Sequence, residues 1–433
     1  MSSRFTVYVR RLRSLPVYIL SFISHARRNG LAAALVKSYQ YLLWDSGRGY
    51  EHNFRRWFNR NNVQGNTAAA ATVFARPSLL IVGALDLPQC RKYRVIQKAE
   101  MLQGLGIECR VSHIQDTVRV FNLMQEATHL MLYRVAQSTQ AEAYIAEARR
   151  LGLRIIYDID DPIFDRRVYA DNRNLETLEP GEREALLQSS EQYLEVMRQC
   201  EFCTVSTSAM AELVAGHLPL ETFIWRNAVD AESALLAEQA RAAAESTGDG
   251  PLIAYMSGSR AHDRDFDSIA EVLAQLLGRH EELRLMLVGY VQLPQSLTAF
   301  SERIEIVPFG NYFEYFAALA RADLTVVPLL HDSFNECKSA IRYFEAALLG
   351  LPTVASGVGQ FREVIEHGVD GYLAETPEQW LELLEQLLQQ PELRRSVGER
   401  AREAVSQQQS LPAVAEQLGD FLQACQLQGP VHE

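Results

Sequence analysis

The segment FNECKSAIRYFEAALLGLPTVAS, residues 334–356, decides how this chain is read. It follows an apolar run ending in Val326-Val327-Pro328 and places one helix between two strands. Asn335 or Ser339 can cap the helix start, and Gly350 with Pro352 can end it. Free backbone N–H groups at such a start attract an anion, and Lys338 adds a full positive charge. Glu345 follows Lys338 by seven residues, two helical turns along the same side. At roughly 100° per residue it lies about 40° from Ile341 and about 60° from Leu348, on the apolar face. A carboxylate buried there needs partners. Two sugar hydroxyls would serve, because a carboxylate accepts two hydrogen bonds at once. Phosphate at the helix start and ribose two turns along form the footprint of a nucleoside diphosphate. A Lys338–Glu345 salt bridge on a core helix is the competing reading.

On both sides of this segment apolar runs alternate with amphipathic ones. Strands are expected at 78–83, 108–113, 129–133, 154–158, 202–206 and 223–225, with helices at 94–105 and 140–151. A second series has strands at 252–256, 284–288, 304–308, 324–328 and 353–355, and helices at 266–278, 312–321 and 339–349. Such βαβα alternation predicts an α/β fold: two Rossmann-like, doubly wound parallel sheets with the active site in the cleft between them. The expected boundaries are a basic, aromatic helical region at 1–66 and a first Rossmann-like domain at 72–230. A helix and hinge at 231–250, a second, nucleotide-binding domain at 251–405 and a C-terminal helix at 406–433 follow.

The 433 residues are 48% hydrophobic and 22% charged, which excludes a largely disordered chain. The nine-residue apolar run 15–23 is too short to span a bilayer, which takes about 20 residues, and no cleavage-type sequence follows it. Six scattered cysteines read as reduced thiols, which points to the cytoplasm. The net charge of −12 is uneven, because residues 1–60 hold eleven Lys or Arg and only two acids. Arg10, Arg11 and Arg13 near Tyr8 and Tyr18, and Arg55 and Arg56 near Phe54 and Trp57, suit an anionic membrane surface. Docking on the cytoplasmic face of the membrane is expected there; packing on the main body is the alternative. The acidic remainder argues against nucleic acid.

Glu345 followed by Gly350-Leu351-Pro352-Thr353-Val354-Ala355-Ser356 resembles the GT-B fold glycosyltransferases of the family 4 type, glycosyl transferases group 1. The resemblance covers about residues 78–405 and is strongest over 255–356. The family pattern has a first Glu eight positions before the second. Here that position is Cys337, with Glu336 one residue out of register. A subgroup with N-x-x-K-S-x-I-K-x-x-E matches Asn335 to Glu345 better. The resemblance implies transfer of sugar from a nucleotide sugar with retained configuration and no required metal. Arg264, six residues beyond Gly258, with Arg260 as a second candidate, would join Lys338 and Ser339 on the diphosphate, and Glu345 would hold the ribose. Asn335 and Glu336 are candidate sugar contacts, and Arg94, after the first strand, is a candidate acceptor contact.

The acidic stretch RIIYDIDDPIFD, residues 154–165, admits several readings. Asp158 and Asp160 could form a metal-binding D-x-D, as in GT-A enzymes. A haloacid-dehalogenase-like phosphatase loop is disfavoured by Pro162. In many members of the resembled family a strand ends in His-Asp at this place, which here would be Asp160-Asp161. That alignment is preferred, and it implies that Asp160 and Asp161 orient donor sugar or acceptor. Asp158 and Asp165 are expected to cap turns around Pro162. The expected partners are a nucleotide sugar and a saccharide or lipid-linked acceptor of cell-surface polysaccharide or lipopolysaccharide synthesis. A soluble transferase acting on a protein or small molecule, and a GT-B-shaped scaffold without catalysis, remain open.

Overall fold

Residues 78–83 are buried along their whole length, as a strand must be when helices cover both faces of its sheet. The computed structural model of the protein describes residues 77–244, 250–258, 262–308 and 310–427, with Leu31 and Leu35. The chain divides into Met1–Thr67 and Ala68–Glu433, and the fold that follows is that of the second unit. The basic region 1–66 and its expected membrane contact therefore lie outside the described residues.

The first sheet contains β1 (Ser78–Gly83), β2 (Glu108–His113), β3 (His129–Tyr133), β4 (Arg154–Ile159), β5 (Phe202–Val205) and β6 (Glu221–Ile224). The second contains β7 (Leu252–Ser257), β8 (Arg284–Gly289), β9 (Ile304–Val307), β10 (Leu324–Val327), β11 (Thr353–Ser356) and β12 (Tyr372–Ala374). Their orders are β2-β1-β3-β4-β5-β6 and β12-β11-β10-β7-β8-β9. All pairings are parallel. Strand order reverses between β1 and β3 in one sheet and between β7 and β10 in the other. Beyond the carboxyl ends of strands at such a reversal, an open α/β sheet leaves its ligand crevice. Gly83 ends β1 at the first reversal, where a Cβ would lie 2.7 Å from the Tyr133 carbonyl oxygen.

Two segments add to the expectation. Residues 231–250 begin with the expected helix. Asp230 caps the helix Ala231–Ala243 by accepting from the Ser233 N–H at 2.7 Å, and Ala237 and Ala240 pack into the second domain's core. Residues 245–249 lie outside the described residues. The chain's last helices return to the first domain, where Val414, Leu418, Phe421 and Cys425 share a core with Leu79, Ile81 and Trp225. Among the described residues no helix is long and apolar enough to cross a membrane.

Candidate active site

A cavity of about 340 Å³ lies between the domains, lined by residues that follow β1, β3, β4, β7 and β10. Lys338, Ser339, Glu345, Asp160 and Asp161 all line it.

The helical stretch from Pro88 to Gly104 forms much of the first-domain wall. Pro88 suits its first turn, where the missing N–H would have no partner. Residues Arg91–Ile96 form a π-helical turn, a feature that often re-aims side chains at functional sites. Through it Tyr93 faces the second domain while Arg94 turns into its own sheet. Arg94 is 0% exposed. Its guanidinium donates to both Asp158 oxygens at 2.5 and 3.2 Å, to the Trp225 carbonyl at 2.6 Å and to Asn227 Oδ1 at 3.0 Å. Lys98 Nζ lies 3.2 Å from the same carboxylate, and Thr204 donates to it at 2.6 Å. Arg94 is thus a buried structural cation, not an acceptor contact. Asp158 is its counter-ion rather than a turn cap. Burial alone would raise the Asp158 carboxyl, but Arg94 and Lys98 hold it low. Burial, then Arg94, push the Lys98 ammonium down to about 7. Asp165 does cap its turn, accepting from the N–H groups of Arg167 and Val168 at 2.8 and 3.1 Å.

Asp160 and Asp161 are bound into the cleft wall by Arg134, which donates to Asp160 at 2.5 Å and also to Asp161. Arg134 directly follows β3 with φ of 48°, a left-handed conformation costing a non-glycine residue about 1–2 kcal/mol. The two carboxylates hold it there. Lys338 Nζ reaches across the cleft to Asp161 Oδ1 at 2.9 Å. Burial works to raise the Asp161 carboxyl, but Lys338 and Arg134 hold it well below the usual range. Asp161 is therefore an anion at neutral pH.

Glu345 is 7% exposed on the helix Ile341–Leu348. The Tyr93 hydroxyl, from the first domain, donates to one carboxylate oxygen, and the Tyr315 hydroxyl donates to the other at 2.8 Å. The expectation that a carboxylate on this face needs two donors is met by tyrosines. Burial raises the Glu345 carboxyl, and the two hydroxyls counter it. The competing Lys338–Glu345 salt bridge is absent, because each partner is engaged elsewhere. The two-turn geometry also differs: Lys338 has extended backbone, and the helix begins only at Ile341. Neither Asn335 nor Ser339 caps it. Instead the Ala340 N–H donates to Gln360 Oε1 at 2.9 Å. Gly350, at φ of 71°, follows its last turn as expected.

Several expected contacts do not reach the cleft. Arg264 is 45% exposed, with its guanidinium 3.9 Å from Glu176 and 3.8 Å from Asp267. Asn335 is fully buried and donates to Asp265 at 3.0 Å and to the Leu330 carbonyl at 3.1 Å, so it braces the loop before the helix. Glu336 accepts from the Gly359 N–H and from Arg362, both at 3.0 Å, fastening the next loop. Arg260 lies outside the described residues. Cys337, where the resembled family has its first Glu, is buried with its thiol toward the Ser333 carbonyl.

Cleft residues that were not singled out from sequence include Tyr93, Arg134, His262, Tyr315 and Arg342. Nothing local marks Arg134, whose role follows from its backbone. Arg342 carried a readable signal, a cation one turn before Glu345 on the same helix. Burial, then Arg342, push the His262 imidazole down to about 4, against its bond to Asp265 at 2.9 Å. Asn227 also reaches across the cleft, donating to Ser339 Oγ at 3.0 Å.

The family model described as Glycosyl transferases group 1 matches residues 238–404. N-acetyl-alpha-D-glucosaminyl L-malate synthase of Bacillus anthracis is 38% identical over 92 residues, 21% of this chain and 23% of that protein. D-inositol 3-phosphate glycosyltransferase of Thermobispora bispora is 38% identical over 73 residues, 16% of each. The chain thus matches less than a quarter of the length of these curated relatives. Among solved structures, Anabaena HepE in complex with UDP and glucose aligns over 81% of this chain and 100% of its own, with TM-score 0.57 and 14% identity. Sucrose-phosphate synthase of Thermosynechococcus elongatus aligns over 81% of this chain and 99% of its own, with TM-score 0.57 and 15% identity. At such identity these structures speak for the fold. With two doubly wound domains facing one cleft, the chain has the GT-B fold, and its residues 238–404 match the glycosyl transferases group 1 family model.

Proposed function

We propose that the protein is a sugar-nucleotide-dependent glycosyltransferase. The observation that carries this reading is that Lys338 and Glu345 line one cavity at the facing strand-order reversals of two Rossmann-like sheets. Lys338 and Ser339 hold the donor diphosphate, and Glu345 exchanges its tyrosine donors for the two ribose hydroxyls. As the nucleotide leaves, charge develops on the diphosphate, and fixed cations stabilise it without rearranging. Asp160 and Asp161 orient the donor sugar or the acceptor hydroxyl. The side chains meet the leaving-group charge, so no metal ion is assigned to the step. The polar bonds from Tyr93 to Glu345, Lys338 to Asp161 and Asn227 to Ser339 join the two walls and can be exchanged for ligand bonds. Closure of the walls excludes water and suppresses donor hydrolysis.

The finer reading rests on the resemblance and on the basic N-terminal composition. It is retaining transfer to a saccharide or lipid-linked acceptor, in cell-surface polysaccharide or lipopolysaccharide synthesis. The enzyme is cytoplasmic and sits on the inner membrane face through residues 1–60. The test is a panel of sugar nucleotides, read by thermal shift and by nucleotide release with cell-envelope lipids present. Stabilisation by one donor with release of its nucleotide is expected. Binding without release would favour a scaffold, and no binding would sink the reading.

A further inference from the structure

We propose that Arg342, rather than Arg264, is the guanidinium that holds the donor diphosphate. This rests on the donor reading above and adds a residue to it.

Arg342 is the second residue of the helix Ile341–Leu348 and lines the cavity three positions before Glu345. Every other basic side chain on the described cavity wall has an acidic partner. Arg134 has Asp160 and Asp161, Lys338 has Asp161, and His262 has Asp265. Among the described residues, Arg342 has no carboxylate within salt-bridge distance, and its Nη1 is buried without a hydrogen-bond partner. Glu345, the acid one turn away, is already engaged by Tyr93 and Tyr315.

The guanidinium is held in place without being neutralised. Its central carbon lies 5.9 Å from the centre of the Tyr255 ring, on β7, and that ring stacks on Phe266 at 4.4 Å. An aromatic face supports a cation while leaving its N–H groups free for other acceptors. A buried donor of this kind is costly when unpaired, so the pocket is built for an acceptor that it does not itself contain.

Position identifies the class of acceptor. Arg342 follows Lys338 by four residues and sits at the helix start that faces the β7–β10 reversal. Pyrophosphate groups favour such a place, between a helix N-terminus and the carboxyl ends of strands. The planar fork of Arg matches two phosphoryl oxygens at once. Arg342 is then about one helical turn from the ribose at Glu345, with Lys338 four residues further back, consistent with a single nucleoside diphosphate.

The test is calorimetric titration of the full chain with UDP, GDP, ADP, CDP and dTDP and with the matching nucleosides. Wild type should bind at least one diphosphate. Arg342→Gln should weaken that binding tenfold to a hundredfold and leave binding of the nucleoside unchanged. Arg342→Lys keeps the charge and most of the stem, so it guards against a folding defect; it should fall between, at threefold to tenfold. Arg264→Gln should change binding less than twofold. If Arg342→Gln and Arg342→Lys bind the diphosphate within twofold of wild type while Glu345→Gln weakens it, Arg342 is not the anchor and the donor reading stands. If wild type binds none of the diphosphates, the donor reading and this assignment both fall.

Discussion

On the first-domain wall, Arg94, Lys98 and Asp158 close on one another with exposures of 0–1%, and Arg134 ties Asp160 to Asp161. On the second-domain wall, Glu345 is satisfied by neutral hydroxyls, Lys338 borrows its counter-ion from across the cleft, and Arg342 forms no salt bridge among the described residues. The first wall therefore spends its charges on holding shape. The second keeps its charges on partners that a ligand can replace. Burial of an ion pair alone does not mark a binding residue, since the fully buried Arg94–Asp158 pair belongs to the scaffold.

The comparison breaks most directly at Asp158. Asp158→Ala should leave Arg94 and Lys98 buried without a counter-ion and cost about 3–5 kcal/mol, read by denaturant unfolding; a loss below about 1 kcal/mol would show the network to be dispensable.

His262 tests the second wall by pH. Its imidazole is pushed down to about 4 when folded, against 6.5 ordinarily. As pH falls from 6.5 towards 4, the unfolded chain gains this proton and the folded chain does not, so stability falls through that window. The effect amounts to about 3 kcal/mol at most. His262→Gln should flatten this part of the stability curve relative to wild type. Parallel curves for the two proteins would show that His262 does not titrate in this way.

Glu345→Gln sharpens the contrast, because it should weaken donor binding by about tenfold to a hundredfold while changing stability by less than about 1 kcal/mol. A large stability loss with unchanged donor affinity would place Glu345 with the scaffold. Asp160→Asn should lower turnover about tenfold, roughly the effect of one lost charge-assisted contact, with donor affinity nearly constant. An unchanged rate would leave it as a brace for Arg134. The smallest effect expected is from chelation: EDTA should change turnover less than about twofold if side chains alone meet the leaving-group charge. Loss of activity restored by a divalent ion would overturn that reading.

Much of the fold was legible because parallel strands buried on both faces read as uninterrupted apolar runs. Leu79–Val82 and the buried run Ile253–Met256 are cases in which local composition suffices. β12 went unread, since three residues carry no measurable period. In the site, Lys338 and Glu345 were legible because a cation and a carboxylate on an apolar helix demand an explanation. Arg94 was expected in the cleft in place of its neighbour Tyr93, because a π-helical turn decides which of the two faces it.

The order of elements, the two-domain plan and the segment that brings Lys338 and Glu345 to the cleft follow from sequence, because the periodicity of burial is a local property. Which charges are spent and which stay available was decided only by tertiary structure. Arg94 meets Asp158 across 64 residues, Tyr93 meets Glu345 across 252, and Lys338 meets Asp161 across 177. An ion's role depends on its nearest counter-charge, and chain folding rather than chain order sets that distance.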